Sequence, residues 1–348
     1  PTLDNTTAAV TITPKTVSLA ATKVYDGNTS LSADQVTVTT GVGSETLNAT
    51  GTANNANVAI TGKYFTAATL ANGTGSSAGL ASNYQLPTLD NTTAAVTITP
   101  KTVSLAATKV YDGTTTLTNA QVTIGTGIDN QSLTASAATA SDAHVATSNK
   151  SIASITLADG TGGLASNYQL PALNSTNAPV TINAATLTPT VSNTGVTKVY
   201  DAGTSAPTGF TPTYTYSGLV SGDTSATLSN AGTAYNDANV SQANKVTVSG
   251  LNITGVTGNN GSLPSDYVLS ATSKDVAATI TPKTVSLAAT KVYDGTTTLT
   301  NAQVTIGTGI NGESLTTSAA TASDAHVVTS SNKSIASITL ADGTGGLA

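Results

Sequence analysis

The sequence predicts an all-β fold: a tandem array of antiparallel β-sandwich (Ig-like) repeats forming an elongated rod. Three observations predict it. Residues 1–27 are identical to residues 87–113, and residues 98–128 are identical to residues 280–310. Four tyrosines that share one motif, Tyr25, Tyr111, Tyr200 and Tyr293, follow each other at intervals near 90 residues, too long for a solenoid coil and suited to separately folding β-domains. Inside each interval, short runs rich in Val, Ile and Thr alternate with Gly, Asn and Asp clusters, and no 3.6-residue periodicity persists.

The phase of the repeats divides the 348 residues into the last strand of a preceding repeat (1–13) and four repeats, at 14–99, 100–186, 187–281 and 282–348, the fourth without its final strand. Each repeat opens on a strand such as Lys15-Thr16-Val17-Ser18-Leu19-Ala20-Ala21-Thr22, whose apolar residues recur with a period of two. That strand runs into Lys23-Val24-Tyr25-Asp26-Gly27, repeated at Lys109, Tyr111, Asp112 and Gly113, and again at Lys291, Tyr293, Asp294 and Gly295. The third repeat has the variant Thr197-Lys198-Val199-Tyr200-Asp201-Ala202-Gly203. Asp-Gly is turn chemistry, since glycine accepts a positive φ and the aspartate bonds its own turn. Runs such as Asn119-Ala120-Gln121-Val122-Thr123-Ile124 and Lys150-Ser151-Ile152-Ala153-Ser154-Ile155 supply the middle strands. A second landmark, Asn83-Tyr84, Asn167-Tyr168 or Asp266-Tyr267, leads to the closing strand, for example Ala95-Val96-Thr97-Ile98-Thr99. There a single proline, Pro100, joins one repeat to the next; proline continues no ladder and stiffens the link.

Composition limits what such an array does. Charged residues make up 9% of the chain, far below the roughly 25% of ordinary domains, and Thr, Ser, Ala, Asn and Gly fill the gap. With two Phe, no Trp and 11 Tyr, each core must be small and aliphatic. The absence of Cys removes disulfides, thiolate metal sites and cysteine nucleophiles. A net charge of -6 and the lack of arginine argue against nucleic acid as a partner. No apolar run approaches the roughly 20 residues that span a bilayer, so membrane insertion by this segment is not expected.

The Lys-Val-Tyr-Asp-Gly openings, the Gly222-Asp223 step, the Asn-Tyr-x-Leu closings and the Ile-Thr-Pro links together resemble the YDG repeat domain of secreted haemagglutinin-like and fibrillar bacterial adhesins. The resemblance implies a stalk or spacer segment of an extracellular protein, at the bacterial surface or secreted, with neighbouring repeats or identical chains as partners. A distal domain would then meet a host or matrix glycan. Repeats two and four replace the Gly-Asp step with Gly127-Ile128-Asp129-Asn130 and Gly309-Ile310-Asn311-Gly312.

Other chemistries find little support. His144 and His326 alternate with Asn57 and Asn239 at equivalent positions, as polar turn residues do, and no nucleophile, base and orienting group recur together, so no enzyme is expected. No cofactor is expected either. Calcium would have to use irregular oxygens such as Asp4-Asn5 or Asn236-Asp237, because no regular acidic loop exists. A carbohydrate-binding array is the alternative function, with Tyr64, Tyr214, Tyr216 and Tyr235 as the stacking surface. The two chain ends are out of phase with the joins, which leaves two readings open: a stretch of a longer array, or strand exchange in which residues 1–13 complete the fourth repeat of a neighbour.

One chemical question concerns the lysine. The period of two places Lys23 and Tyr25 on the same face as Val17, Leu19 and Ala21, where a charge is costly. Three answers stand at this point: a β-bulge near Ala21-Thr22 that turns Lys23 to water, an ion pair with a carboxylate such as Asp26, or an isopeptide crosslink to Asn83, Asn167 or Asp266 in the closing motif.

Overall fold

Alternation of small apolar residues with Thr and Ser builds the first strand of each repeat. The computed structural model describes residues 9–327 and 332–348. In it Ser18–Val24 buries Leu19, Ala21 and Lys23, and turns Ser18, Ala20, Thr22 and Val24 outward. Ser104–Val110 does the same with Leu105, Ala107 and Lys109. Threonine suits the outer face because its branched Cβ favours extended backbone while its hydroxyl meets water. The fold is all-β in many small sheets, and its helical turns are three-residue 3-10 segments such as Ala33–Gln35 and Ala81–Asn83.

In the first repeat Ser18–Val24 lies between Val36–Thr39, antiparallel, and Ala94–Thr99, parallel. A second sheet joins Ser30–Leu31, Leu47–Ala53 and Phe65–Asn72 in antiparallel order. Lys15–Thr16 pairs in parallel with Tyr84–Gln85. The second repeat reproduces the plan: Ser104–Val110 takes Val122–Gly125 and Val180–Asn183, Leu133–Ala140 takes Ile152–Asp159, and Lys101–Thr102 takes Tyr168–Gln169.

The third repeat divides its opening strand into Ala185–Val191 and Val196–Val199, each with its own parallel partner, Tyr267–Leu269 and Ser273–Thr281. Its core gathers Val191, Val196, Tyr235, Val246, Val248, Val276 and Ile280. In the fourth repeat Ser286–Ala289 pairs with Val304–Gly307, and Leu315–Ala322 pairs with Ile335–Asp342.

Two expectations change here. The repeats are not purely antiparallel, because first and closing strands run in parallel in repeats one to three. A parallel closing strand leaves a repeat at the end opposite its entry, so the next repeat starts beside the end of the first strand. The third repeat's first strand starts at Ala185, and the chain divides into compact units 1–184 and 185–348. Of residues 1–13, expected as a strand, residues 1–8 lie outside the described residues, and residues 9–13 join no ladder.

Candidate functional site at the repeat junctions

The Lys-x-x-Asp-Gly part of the motif is a clamp on its own turn. Lys23 is 3% exposed, and its Nζ donates to Ser30 O at 2.9 Å, Asn28 O at 3.1 Å and Asn28 Oδ1 at 3.2 Å, with Asp26 Oδ1 at 2.6 Å. Lys109 repeats this with Thr116 O at 2.8 Å, Thr114 O at 3.0 Å and Asp112 Oδ1 at 2.6 Å. Lys198 reaches Gly203 O and Asp201, and lies 5.4 Å from the centre of the Tyr235 ring. Lys291 reaches Thr296 O, Thr298 O and Asp294. A buried ammonium is tolerated because every proton meets an oxygen and one partner is a carboxylate.

This resolves the lysine question. No bulge forms near Ala21-Thr22: the register runs from Leu19↔Ala94 to Val24↔Thr99 without a shift, so Lys23 stays on the inner face. The ion pair with Asp26 is the arrangement present. The crosslink residues have other surroundings. Asn83 is exposed, Asn167 bonds the preceding repeat, and the buried Asp266 accepts from Leu263 N at 2.8 Å. The carboxylates of Asp112, Asp201 and Asp294 titrate low. The Lys198 hydrogen bond and the Gly203 amide lower Asp201, and Lys291 with the Thr296 amide brings Asp294 down to about 2.

The tyrosine points elsewhere. Parallel pairing places Tyr25 N against Thr99 O at 2.9 Å, one residue before Pro100, where the next repeat begins. Its ring is buried and meets Tyr168 of the second repeat edge-on at 5.4 Å between centres. Gln131 Nε2 donates to Tyr25 Oη at 2.9 Å, and Tyr168 Oη donates to Gln131 Oε1 at 2.5 Å. One glutamine thus ties the opening tyrosine of repeat one to the closing tyrosine of repeat two. Gly27 leaves no room to spare, since a Cβ there would sit 3.2 Å from Ile128 and 3.3 Å from Gln131.

A second contact secures the same joint. The fully buried Asn167 accepts from Val58 N at 2.8 Å and donates to Asn57 Oδ1 at 2.9 Å. The receiving loop is itself pinned, by Asn55 Oδ1 taking Asn57 N and by Lys63 Nζ donating to Val58 O at 3.1 Å and to Ile60 O. Lys150 holds the equivalent loop at Val145 O and Thr147 O.

In unit 185–348 the joint between repeats three and four uses a carboxylate instead: Tyr200 Oη donates to Glu313 Oε1 at 2.6 Å. That hydrogen bond, with burial, pushes the Tyr200 hydroxyl up to about 12. Glu45 and Asp223 occupy the corresponding place in repeats one and three, receiving Tyr84 Oη at 2.6 Å and Tyr267 Oη at 2.5 Å. Sequence reading missed this acceptor and the second lysine. Glu45, Gln131 and Glu313 each stand two residues before a leucine of the second sheet, and Lys63, Lys150 and Lys333 recur near the repeat period. Those two regularities are the signals that would have found them.

The remaining sequence candidates have structural partners. Tyr235 is buried in the third repeat's core and donates to Thr279 O at 3.0 Å, so it is no part of an exposed stacking surface. Tyr216 donates to Ala226 O, and the half-buried Tyr214 packs against the core. Tyr64 bridges to Ala95. His144 stacks on Tyr111, and His326 lies against Tyr293. Asp237 Oδ1 accepts from Asn239 N and Asn236 Oδ1 from Asn244 N, so both carry turn bonds. Asp4 and Asn5 lie outside the described residues.

Three stretches of the chain, residues 6–94, 92–178 and 183–274, match the YDG domain. No curated protein and no solved structure matches the chain.

Proposed function

Because the chain belongs to the YDG domain family, we propose that it is a structural spacer in an extracellular bacterial fibrillar adhesin, its β-sandwich repeats set end to end as a stiff stalk. The observation that carries this reading is where the shared residues are used. The lysine, aspartate and glycine of the motif close a turn beside the joint, and the tyrosine crosses into the next repeat. A binding module would direct its recurrent polar groups at an open cleft. Here the lysine and aspartate are directed at their own turn and the tyrosine at the neighbouring repeat.

The mechanism is geometric. Parallel first and closing strands send the chain out opposite its entry, proline fixes the link at Pro100 and Pro282, and the tyrosine contact restrains the joint. A cysteine-free, weakly charged chain also suits export through membranes and a life outside the cell.

Small-angle scattering tests it. Deleting residues 100–281 rejoins Thr99 to Pro282 and regenerates the same Ile-Thr-Pro-Lys link, leaving two repeats. The maximum dimension of the shortened chain should fall to roughly half, as nearest-neighbour stacking requires. An unchanged dimension would count against the stalk.

A further inference from the structure

Three asparagines of the chain precede a glycine: Asn72, Asn260 and Asn311. Glycine has no Cβ to shield its own nitrogen, so at Asn-Gly a main-chain amide turns most readily on the side chain before it. The fold holds two of the three. Asn72 ends the strand Phe65–Asn72, its Oδ1 accepts from Ala81 N at 2.8 Å, and Gly73 N donates to Gly79 O at 3.0 Å. A Cβ at Gly73 would lie 1.9 Å from Thr46 O, so this backbone has no room to swing. Asn260 donates through Nδ2 to Ser221 O at 2.7 Å and to Asp223 Oδ1 at 3.2 Å, which fixes its rotamer.

Asn311 is placed differently. It stands in the turn from Ile310 to Glu313, closed by Glu313 N donating to Ile310 O at 3.3 Å, with Gly312 at φ +77°. A positive φ at the third residue is the mark of a type II turn. Asn311 and Gly312 are both exposed, and a Cβ at Gly312 would meet nothing within 4 Å. Among the described residues, neither the Asn311 side chain nor Gly312 N makes a hydrogen bond. The rotation that brings Asn311 Cγ to Gly312 N then costs little more than the turn bond. The second repeat has its closing strand, and it exposes the matching Asp129 and Asn130 in a turn closed by Gln131 N and Ile128 O at 3.3 Å. Exposure is thus a property of the turn.

We propose that Asn311 is a self-modifying site, the one Asn-Gly of the three that the fold leaves able to deamidate. Gly312 N gives its proton to water and attacks Asn311 Cγ. The new C–N bond closes a succinimide ring as the Cγ–Nδ2 bond breaks and ammonia leaves. Water then opens the ring, giving aspartate where it breaks the new bond and isoaspartate where it breaks the former peptide bond. One water is taken up and one ammonia released, and no oxidant or reductant is needed. The aspartate product is the residue the second repeat already has at 129, and it keeps the turn. Isoaspartate routes the main chain through the side-chain carbon and lengthens the turn. That turn presents Glu313, which receives Tyr200 across the joint. Conversion therefore adds a negative charge, and its isoaspartate fraction loosens the joint between repeats three and four. The site needs only the turn and stands apart from the spacer role.

Peptide mapping of the intact chain during incubation at mildly alkaline pH tests the site. In concentrated denaturant all three asparagines should convert at rates within roughly threefold of one another. In the folded chain Asn72 and Asn260 should slow by at least roughly tenfold, while Asn311 stays within roughly threefold of its unfolded rate. Asn311→Gln should abolish conversion at that position, because the longer side chain closes only a disfavoured ring. A second measurement reads the joint: the Tyr200 ring resonances should move toward unstructured positions in the isoaspartate form and stay in place in Asn311→Asp. Asn311 slowed as much as the other two, all three unslowed by folding, or isoaspartate that leaves the Tyr200 ring unmoved would each overturn the proposal.

Discussion

Lys109 keeps an ammonium away from water by giving each proton an oxygen, two of them main-chain carbonyls of the turn it closes. Replacing it with methionine keeps the apolar stem and strands Asp112 with those carbonyls. Removing one side of such a pair should cost about 3 kcal/mol, read as faster amide exchange across the second repeat's turn. The same change at Lys291, whose side chain is 13% exposed beside a half-exposed aspartate, should cost under about 1 kcal/mol. Equal losses would mean that burial of the lysine contributes little, since both lysines hold the same two carbonyls. The pH dependence runs in a set direction. Asp294 titrates at about 2 in the folded chain against an ordinary 3.8, so the unfolded chain binds the proton more readily. Its contribution is therefore complete above pH 4 and is lost as the pH falls toward 2. Carboxyl chemical shifts should place the Asp294 midpoint near 2, and Lys291→Met should return it toward 3.8.

At the scale of the element, Gly27 and Gly295 separate backbone need from packing need. Both have positive φ, +85° and +77°, which costs a residue with a Cβ about 1 kcal/mol. Around Gly295 a Cβ meets nothing within 4 Å, whereas at Gly27 it presses on Ile128 and Gln131 of the next repeat. Alanine at 295 should cost only the backbone term, while alanine at 27 should also perturb the Tyr168 ring resonances. The contrast shows what the sequence could and could not convey. Asp-Gly announced the turn, and the period of two announced which face of Ser18–Val24 is buried. That period is the same for parallel and antiparallel pairing, so the parallel closing strand was not legible. Without it, nothing in Lys-Val-Tyr-Asp-Gly says that the tyrosine stands at the exit of its repeat. The missed acceptor, Gln131, lies 106 residues from Tyr25, beyond any local pattern. The face of Lys23 was legible, but its oxygen partners depend on how the turn folds back.

Within each compact unit, stability is a sum of what each repeat holds alone and what the joint between them adds, so the joint decides whether the repeats open together or singly. The two joints differ in chemistry: a neutral glutamine receives Tyr25, and a carboxylate receives Tyr200. The second carries the larger dependence on alkaline pH, because a carboxylate receives its tyrosine. The Tyr200 hydroxyl holds its proton up to about 12 against an ordinary 10.0, so the folded chain binds that proton more tightly than the unfolded chain. The joint's contribution is then complete below pH 10 and fades as the pH rises through about 12. Phenolate absorbance should include a step near 12 that Tyr200→Phe removes and that Glu313→Gln moves toward 10 by supplying the neutral partner of the first joint. Tyr25→Phe leaves the Gln131 amide without its acceptor and should cost about 1 kcal/mol of coupling between repeats one and two, measured by a double-mutant cycle with Gln131→Ala. Repeat four should not respond to that cycle. If Glu313→Gln left the alkaline titration unchanged, the tyrosine would not be bonding across the joint, and the coupling would have to come from backbone and proline alone.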